Sequence, residues 1–521
     1  MEQRRPRGAG ASREVNTRLV AALVGLAVAA IYSNAVGHYL VWTDVFQIGQ
    51  QRMVVRDLAN VSMVWSPPQL YGENYWRPLQ VLANSADWLF WGDSWTGYHA
   101  TNVALHALCA MLVFGLSAFV LERVRGKSSI ALAVAVALLW AISPLKSESV
   151  AWIADRCSLL AASLVLCSVL LSLHQLAREE DESGRAFAAR FFVWPAVFYL
   201  LALLSKESAI GAPLLLAATH WVCGLTTDRR KWWPVYAPLA LVSVGYALVR
   251  FTLLWHPHAF EVPVALQTRI ATQAVLTVDY LWSVFWPFRP LASDAFALHG
   301  GVDATVAASA LLLLGLLAGA VALARRGYPL PLFGFIWFVV CLGPAANIFP
   351  QRHLRGDRYL YFASYGLVLA TVWAVTLVRL PRIAMFSAFS LVLVTLSWAT
   401  VQRNAEWAVG GGDDSAFFRL ELQRSPQFRE ALGHLCQLHT ERGEYAEALA
   451  LCERGLALDS RKYAATAWQP QSFRAQVLDI HLRSGDCLRG MPAAREALVL
   501  YPQNQAFRSR LAALRERCPT Q

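Results

Sequence analysis

The side chains able to do chemistry in this chain stand at the ends of apolar runs. The stretch "HYLVWTDVFQIGQ" sets Asp44 among aromatic and apolar residues, directly after "LVAALVGLAVAAIYSNAV". Ionisable groups in or beside a membrane span are costly to keep there, so they point to function. In "NYWRPLQVLANSADWLFWGDSWTGYHATNVALHAL", Arg77 precedes His99, Asn102 and His106, which share one helical face at i, i+3 and i+7. That face is too polar for lipid and serves either a chemical site or a buried packing network. Two His without a third ligand on the same helix do not make a metal site. "SPLKSESVAWIADRCSLL" adds Glu148, Asp155 and Arg156, and "LLSKESAIGAPLLL" adds Lys206 and Glu207. "QRHLRGDRYLYFASYG" supplies Arg352, His353, Arg355, Asp357, Arg358 and Tyr359 at another span end. A guanidinium fork matches phosphate oxygens. Singly, each of these residues reads equally as a solvated acid, a surface ion pair or an interface anchor. Together they are the equipment for transferring a group from a lipid-phosphate donor. An acid deprotonates or orients the acceptor hydroxyl, while Arg and Lys stabilise the departing phosphate.

The elements that must position them are membrane helices. The 521 residues are 56% hydrophobic and 16% charged, whereas a soluble domain is about 25% charged. Runs able to approach the roughly 20 residues of a crossing lie near 18–36, 98–121, 129–147, 154–175, 191–206, 208–224, 234–254, 303–324, 329–348, 360–378 and 383–401, about eleven spans. Lys and Arg concentrate in the basic N-terminus 1–17 and in alternate short loops, which predicts a cytoplasmic N-terminus. The net charge of +11 is then positive-inside bias and not a nucleic-acid surface. The stretch 270–290 reads as an interfacial or re-entrant helix, since counting it as a span would misplace Arg325 and Arg326. Segments 37–97, 144–155, 255–302 and 349–357 then fall on the exoplasmic face and bring Asp44, the second-loop acids and the Arg cluster to one side. The Cys residues show no metal or redox spacing: five lie in apolar runs, and Cys436, Cys452, Cys487 and Cys518 lie near the C-terminus, where pairing is open.

After the bundle of 18–402 the texture changes, and 403–521 reads as an exoplasmic domain. "REALGHLCQLHTERGEYAEALALCERGLALDS" places Leu432, Leu435, Gly443, Tyr445, Ala448 and Gly455 in a helix–turn–helix pattern. The interval from Pro426 to Ser460 matches a repeat of about 34 residues. The segment therefore resembles the tetratricopeptide repeat (TPR), with a second unit ending near Pro502 and a partial one at 413–427. Such arrays present a concave surface to a peptide or partner protein.

The ordered set "VWTD", "WRPLQVLANSADWLFWG", "GYHATNVALHAL", "SPLKSESVAWIADR", "LLSKESA", "DYLWSVFWPF" and "RGDRYLYFASYG", followed by TPR-like units, resembles the transmembrane and TPR-containing O-mannosyltransferases and their bacterial relatives. These belong to the C-type (GT-C) superfamily of membrane glycosyltransferases. The resemblance implies an all-α fold: a polytopic GT-C-like bundle followed by a TPR α-solenoid. It implies a bacterial inner-membrane protein with a periplasmic tail. Its donor would be a polyprenyl-phosphate-linked sugar, a hexose such as mannose, and its acceptor a protein Ser or Thr or another hydroxyl. Carried over by position, Asp44 and Glu148 would be catalytic. Arg77, His99, Asn102, Arg156, Lys206, Glu207, Asp357, Arg358 and Tyr359 would bind donor or acceptor. Two departures stand out. Relatives usually carry a pair of acids after the Trp, and here the first position is Thr43; they also tend to show Lys-Asp after the second-loop Arg, where this chain has Cys157-Ser158. The missing acid argues against a tightly held divalent metal. It also supports another reading, a non-catalytic scaffold that recruits partners through its repeats. A transporter would show charges deep in mid-span or inverted repeats, and neither is evident.

Overall fold

The computed structural model describes residues 8–51, 53–65, 75–178, 193–226, 228–252, 264–293, 296–347, 353–408, 413–460, 462–463 and 469–518. Arg352 lies outside them. Among the described residues every regular element is helical. Five helices are long and apolar enough to cross a bilayer: Trp95–Arg125, Ile153–Ala177, Arg229–Thr252, Ala304–Arg325 and Arg382–Glu406. A sixth crossing arises if Ile130–Ala141 and Pro144–Ala151, which meet at 57°, form one bent span. Helices at the other expected runs are shorter, among them Val193–Ser205, Ala212–Val222 and Leu360–Val375. A 13-residue helix is about 20 Å long against about 30 Å of hydrocarbon. Sequence hydropathy merges a short helix with its apolar flanks. Here Pro144, Pro213 and Pro344 each stand at a break or a helix start and interrupt the ladder of backbone hydrogen bonds. The stretch expected to be interfacial is a continuous helix, Leu266–Phe285, with Ile270, Trp282 and Phe285 exposed.

The long helix Trp95–Arg125 is the spine, with Gly8–Ile31, Ile130–Ala141 and Arg156–Arg178 packed on it. Leu330–Leu342 lies against Leu360–Val375 at a distance only glycine allows. A Cβ on Gly334 would stand 2.6 Å from the Gly366 carbonyl oxygen, and one on Gly366 would stand 2.5 Å from the Trp337 Cβ.

The C-terminal segment is not an appendage on this bundle. Helices Ser415–Arg424, Arg429–Glu441, Tyr445–Leu456, Pro470–Ser484, Cys487–Leu500 and Gln505–Arg517 follow one another as packed neighbours. Gly455, one of the small residues of the repeat pattern, leaves room for Phe473, whose ring would lie 2.3 Å from an added Cβ. The first of these helices share one apolar core with the bundle's connecting segments: Val41, Trp42, Trp152, Trp407, Phe417, Phe418 and Phe428 are buried together. Trp42 is its centre. Its ring stacks on Trp152 at 4.7 Å, its indole N–H donates to Glu430 Oε1 at 2.9 Å, and its backbone N–H donates to Asp414 Oδ2 at 3.2 Å. These contacts hold Trp42 at φ +56°, a conformation that costs a non-glycine residue about 1–3 kcal/mol.

Two disulfides close the tail, Cys436–Cys452 across one helical hairpin and Cys487–Cys518 across the last, while the five bundle cysteines are free thiols. A loop the size of the second gains roughly 3–4 kcal/mol from its cross-link. Reduction with dithiothreitol should lower the thermal midpoint of the purified chain, and non-reducing peptide mapping should recover these two pairs; free thiols at Cys487 and Cys518 in native protein would contradict the pairing. Glu430→Ala leaves the buried Trp42 indole N–H without that acceptor, a loss of about 1–3 kcal/mol. The midpoint should fall even though the substitution lies in the tail, and an unchanged midpoint would mean that the dock carries no stability.

Candidate active site

The bend at Ser143–Pro144 turns the chain inward, so that Lys146 and Glu148 are buried where a straight helix would have carried them away. Lys146 Nζ donates to the carbonyls of Leu360 and Tyr361 and to Ser364 Oγ at 2.6–3.0 Å, which welds the bend to the neighbouring helix. Glu148 accepts the Arg358 backbone N–H at 2.7 Å and its Nη1 at 2.6 Å. Arg358 also donates to the Ala292 carbonyl at 2.9 Å and lies over the Tyr359 ring at 4.9 Å. Asp357 is turned away from it, accepting from the Leu291 N–H at 2.6 Å and from Arg355 Nη1 at 3.2 Å.

Two further pairs complete a charged group. Arg77 grips Glu207 through Nε and Nη2 at 3.1 and 2.7 Å. Burial alone would raise the Glu207 pKa, but this guanidinium pulls it down to about 2, so the pair is ionic. Lys206 Nζ lies 3.1 Å from Asp155 Oδ1 and 2.5 Å from Ser158 Oγ. These pairs surround a small polar chamber of about 70 Å³, lined by Thr43, Gln47, Tyr75, Arg77, Trp152, Ala154, Asp155, Lys206, Glu207, His353, Arg358 and Tyr359. A second cavity of about 80 Å³ adjoins it and is mostly apolar, with Ala161, Ala162, Val165, Ala212, Leu215, Val340 and Phe362 in its wall. Lys206, Glu207, Arg358 and Tyr359 line both, so the cations stand where the polar chamber meets the apolar trench.

Of the residues singled out from sequence, Arg77, Asp155, Lys206, Glu207, His353, Arg358 and Tyr359 face these cavities, with Glu148 and Asp357 behind them. Arg156, Asn102 and His99 line neither. Arg156 is fully buried in a knot with Asn102 Oδ1 at 2.7 Å, Asn84 Oδ1 at 3.0 Å and Asp87 Oδ2 at 2.6 Å, tying three helices together. His99 is buried edge-on to His38, with ring centroids 5.9 Å apart. The polar helical face thus points at neighbouring helices and away from both cavities. Asp44 lies behind the chamber wall: its two oxygens accept the backbone N–H groups of Ala154 and Ile153 at 2.7 and 3.2 Å and so cap the turn that carries Asp155. Its neighbour Thr43 faces the chamber instead. Thr43, Gln47, Tyr75 and Trp152 join the wall without an isolated sequence signal. They are polar or aromatic residues outside the long helices; Trp152 is placed by its stacking on Trp42 and Tyr75 by the Arg77 guanidinium over its ring at 4.2 Å. Among the described residues one group of three donor atoms lies close enough to share an ion: His439, Glu444 and Glu447 in the tail, within 4.8 Å of one another. Its imidazole is already engaged, contacting Glu444 on one side and Arg419 Nη2 at 3.3 Å on the other.

The structure thus defines a helical membrane protein in which a charged chamber adjoins an apolar trench. Sequence comparisons with known proteins point the same way. The chain is 31% identical over 175 residues to the protein O-mannosyl-transferase Tmtc1 of Drosophila melanogaster, covering 33% of this chain and 18% of that one. It is 24% identical over 458 residues to the human protein O-mannosyl-transferase TMTC1, covering 75% of this chain and 48% of the relative. The similarity to these O-mannosyl-transferases thus extends over up to three quarters of this chain, and the chain spans half or less of the length of these curated relatives. No family model matches. A crystal structure of ArnT from Cupriavidus metallidurans bound to undecaprenyl phosphate aligns over 93% of this chain and 80% of its own, at 15% identity and a TM-score of 0.37.

Burial raises the Asp44 pKa from 3.8 to about 7, the N–H groups of Ala154 and Ile153 offsetting only part of that cost. A carboxyl whose pKa rises on folding holds its proton more tightly in the folded chain. Its contribution to stability is therefore full at acid pH and declines as the pH climbs from about 4 to about 7. Asp44→Asn carries no charge at any pH. The wild-type midpoint measured relative to this variant should fall across that window, and a flat or rising difference would show Asp44 ionised throughout in the folded protein.

Proposed function

We propose that this chain is a membrane glycosyltransferase that moves a sugar from a polyprenyl-phosphate-linked donor to a hydroxyl acceptor, a protein Ser or Thr, on the exoplasmic face of a bacterial inner membrane. The observation that carries the reading is the junction of two unlike cavities at Lys206 and Arg358. A polyprenyl-phosphate sugar has the same three parts in the same order: a hydrocarbon tail, an anionic phosphate and a polyol. The trench suits the tail, the ammonium and guanidinium suit the phosphate, and the chamber suits the sugar. A hexose such as mannose is the reading favoured by the names of the sequence relatives.

The orientation rests on the tail. Disulfides persist in oxidising compartments such as the bacterial periplasm, and the tail that carries two of them shares the Trp42–Trp152 core with the chamber wall. On this reading chamber and tail lie on the exoplasmic side, with the N-terminus cytoplasmic and about eleven apolar runs between. The helical hairpins of 403–521 act as a TPR-like surface for the acceptor or a partner protein. The scaffold reading keeps one observation in its favour, Thr43 at the chamber position where relatives carry an acid.

Membranes containing the chain, supplied with radiolabelled polyprenyl-phosphate hexoses, should label a protein acceptor. Lys206→Met or Arg358→Met should cut that transfer by about 10²–10³-fold, the usual effect of removing one group that stabilises developing charge. Absence of labelling by folded wild-type protein across the donor panel would favour the scaffold.

A further inference from the structure

Resting on the reading just given, we infer that Asp155 is the carboxylate that accepts the acceptor's proton, and that Lys206 restrains it until a donor phosphate draws the ammonium away. Among the described residues the chamber wall holds two carboxylates, Asp155 and Glu207. Glu207 has both oxygens in the fork of Arg77, at 2.7 and 3.1 Å. Asp44 has both oxygens on backbone N–H groups behind the wall. Asp155 differs from both. Ser149 Oγ donates to its Oδ2 at 2.6 Å, while Ser158 Oγ at 2.8 Å and Lys206 Nζ at 3.1 Å share its Oδ1. Cys157 Sγ also approaches Oδ1, at 3.6 Å; each carboxylate oxygen offers about two acceptor sites, so Oδ2, which accepts from Ser149, keeps a position for a substrate hydroxyl.

The groups beside it fit such a substrate. Thr43 Oγ1, Gln47 Oε1 and Trp152 Nε1 line the same chamber, buried and without a hydrogen-bond partner. A hydroxyl, an amide oxygen and an indole N–H offer both donors and acceptors without charge, which matches a polyol. Unpaired buried polar atoms carry a cost that a ligand relieves. Asp155 also stands three residues before Ser158, on the same helical face, so it can supply a carboxylate close to where the chain has Cys157-Ser158 in place of Lys-Asp.

Lys206 lines both the chamber and the trench. A phosphate at the junction competes with Asp155 for its single positive charge. As the ammonium turns to the phosphate, Asp155 loses its closest counter-charge and becomes the stronger base. The acceptor O–H proton then passes to Asp155, the acceptor oxygen forms its bond to the anomeric carbon, and the bond from that carbon to the phosphate oxygen breaks. The electron pair leaves on the lipid phosphate, whose added negative charge meets Lys206 and Arg358. A base is thereby armed only when donor is present, which guards against idle proton transfer.

The test measures two quantities on the full detergent-purified chain: affinity for undecaprenyl phosphate, and transfer from a radiolabelled polyprenyl-phosphate hexose. Asp155→Asn should abolish transfer, a loss of about 10²–10⁴-fold, yet bind undecaprenyl phosphate more tightly than wild type, because the rival for Lys206 is gone. Lys206→Met should weaken that binding. Asp155→Glu, which retains the carboxylate, should keep measurable transfer and guards against a folding defect in the amide variant. Retained transfer in folded Asp155→Asn would overturn the assignment, and weaker lipid binding in that variant would overturn the competition for Lys206. A wild type that binds undecaprenyl phosphate and transfers sugar, with Asp155→Asn equally active, would sink this proposal alone. A wild type that does neither would sink the glycosyltransferase reading as well.

Discussion

A charge withdrawn from water has to be matched by an opposite charge or by a ring of dipoles, and the bundle is arranged around that constraint. Arg77 with Glu207, Lys206 with Asp155, Arg358 with Glu148 and Arg156 with Asp87 each join residues from segments far apart in the chain. Removing one partner of such a pair leaves the other exposed to a low dielectric, a loss of about 3–5 kcal/mol. The pairs thus decide which segments meet. Apolar helices in a bilayer have little preference for one neighbour over another, because lipid tails are as apolar as they are. Register comes from polar contacts, and here the same contacts that set register also form the chamber.

Much of this is legible in the sequence, and the reason it is legible also marks its limit. Apolar runs announce helices because the bilayer admits few alternatives. Residues such as Lys206, Glu207 and Arg358 stand out because a charge between two apolar runs is too costly to keep there without a partner or a ligand. Sequence position does not say which way such a residue points. His99, Asn102 and Arg156 have the composition of a reactive face, yet Asn102 and Arg156 bind neighbouring helices and none of the three lines the chamber, since a buried network and an active site use the same residue types. Asp44 and Thr43 are adjacent, yet Thr43 faces the chamber and Asp44 faces a backbone turn. That choice is made by Trp42, whose left-handed backbone depends on residues of the distant tail.

The two acids at the heart of the site illustrate how burial divides labour between identical side chains. Asp44 is held by backbone dipoles and steadies the turn from Ile153 to Asp155. Asp155 is held by two hydroxyls, a thiol and one ammonium. Backbone N–H groups are fixed by the fold, whereas a lysine on a four-carbon stem can exchange partners. The first environment suits a strut and the second suits a group that must change its state. The carboxylate that flanks the aromatic dock need not be the one that meets substrate.

The dock at Trp42 has a consequence for how the molecule comes into being. Its two polar partners lie 372 and 388 residues further along the chain, so they leave the ribosome only after almost the whole bundle has been made. Until then the residue that orients Thr43 and Trp152 lacks its anchor, and the chamber wall is unfinished. Synthesis therefore carries its own checkpoint: a nascent chain can occupy the membrane without owning a complete pocket, and the competence of an early segment is conferred by a much later one.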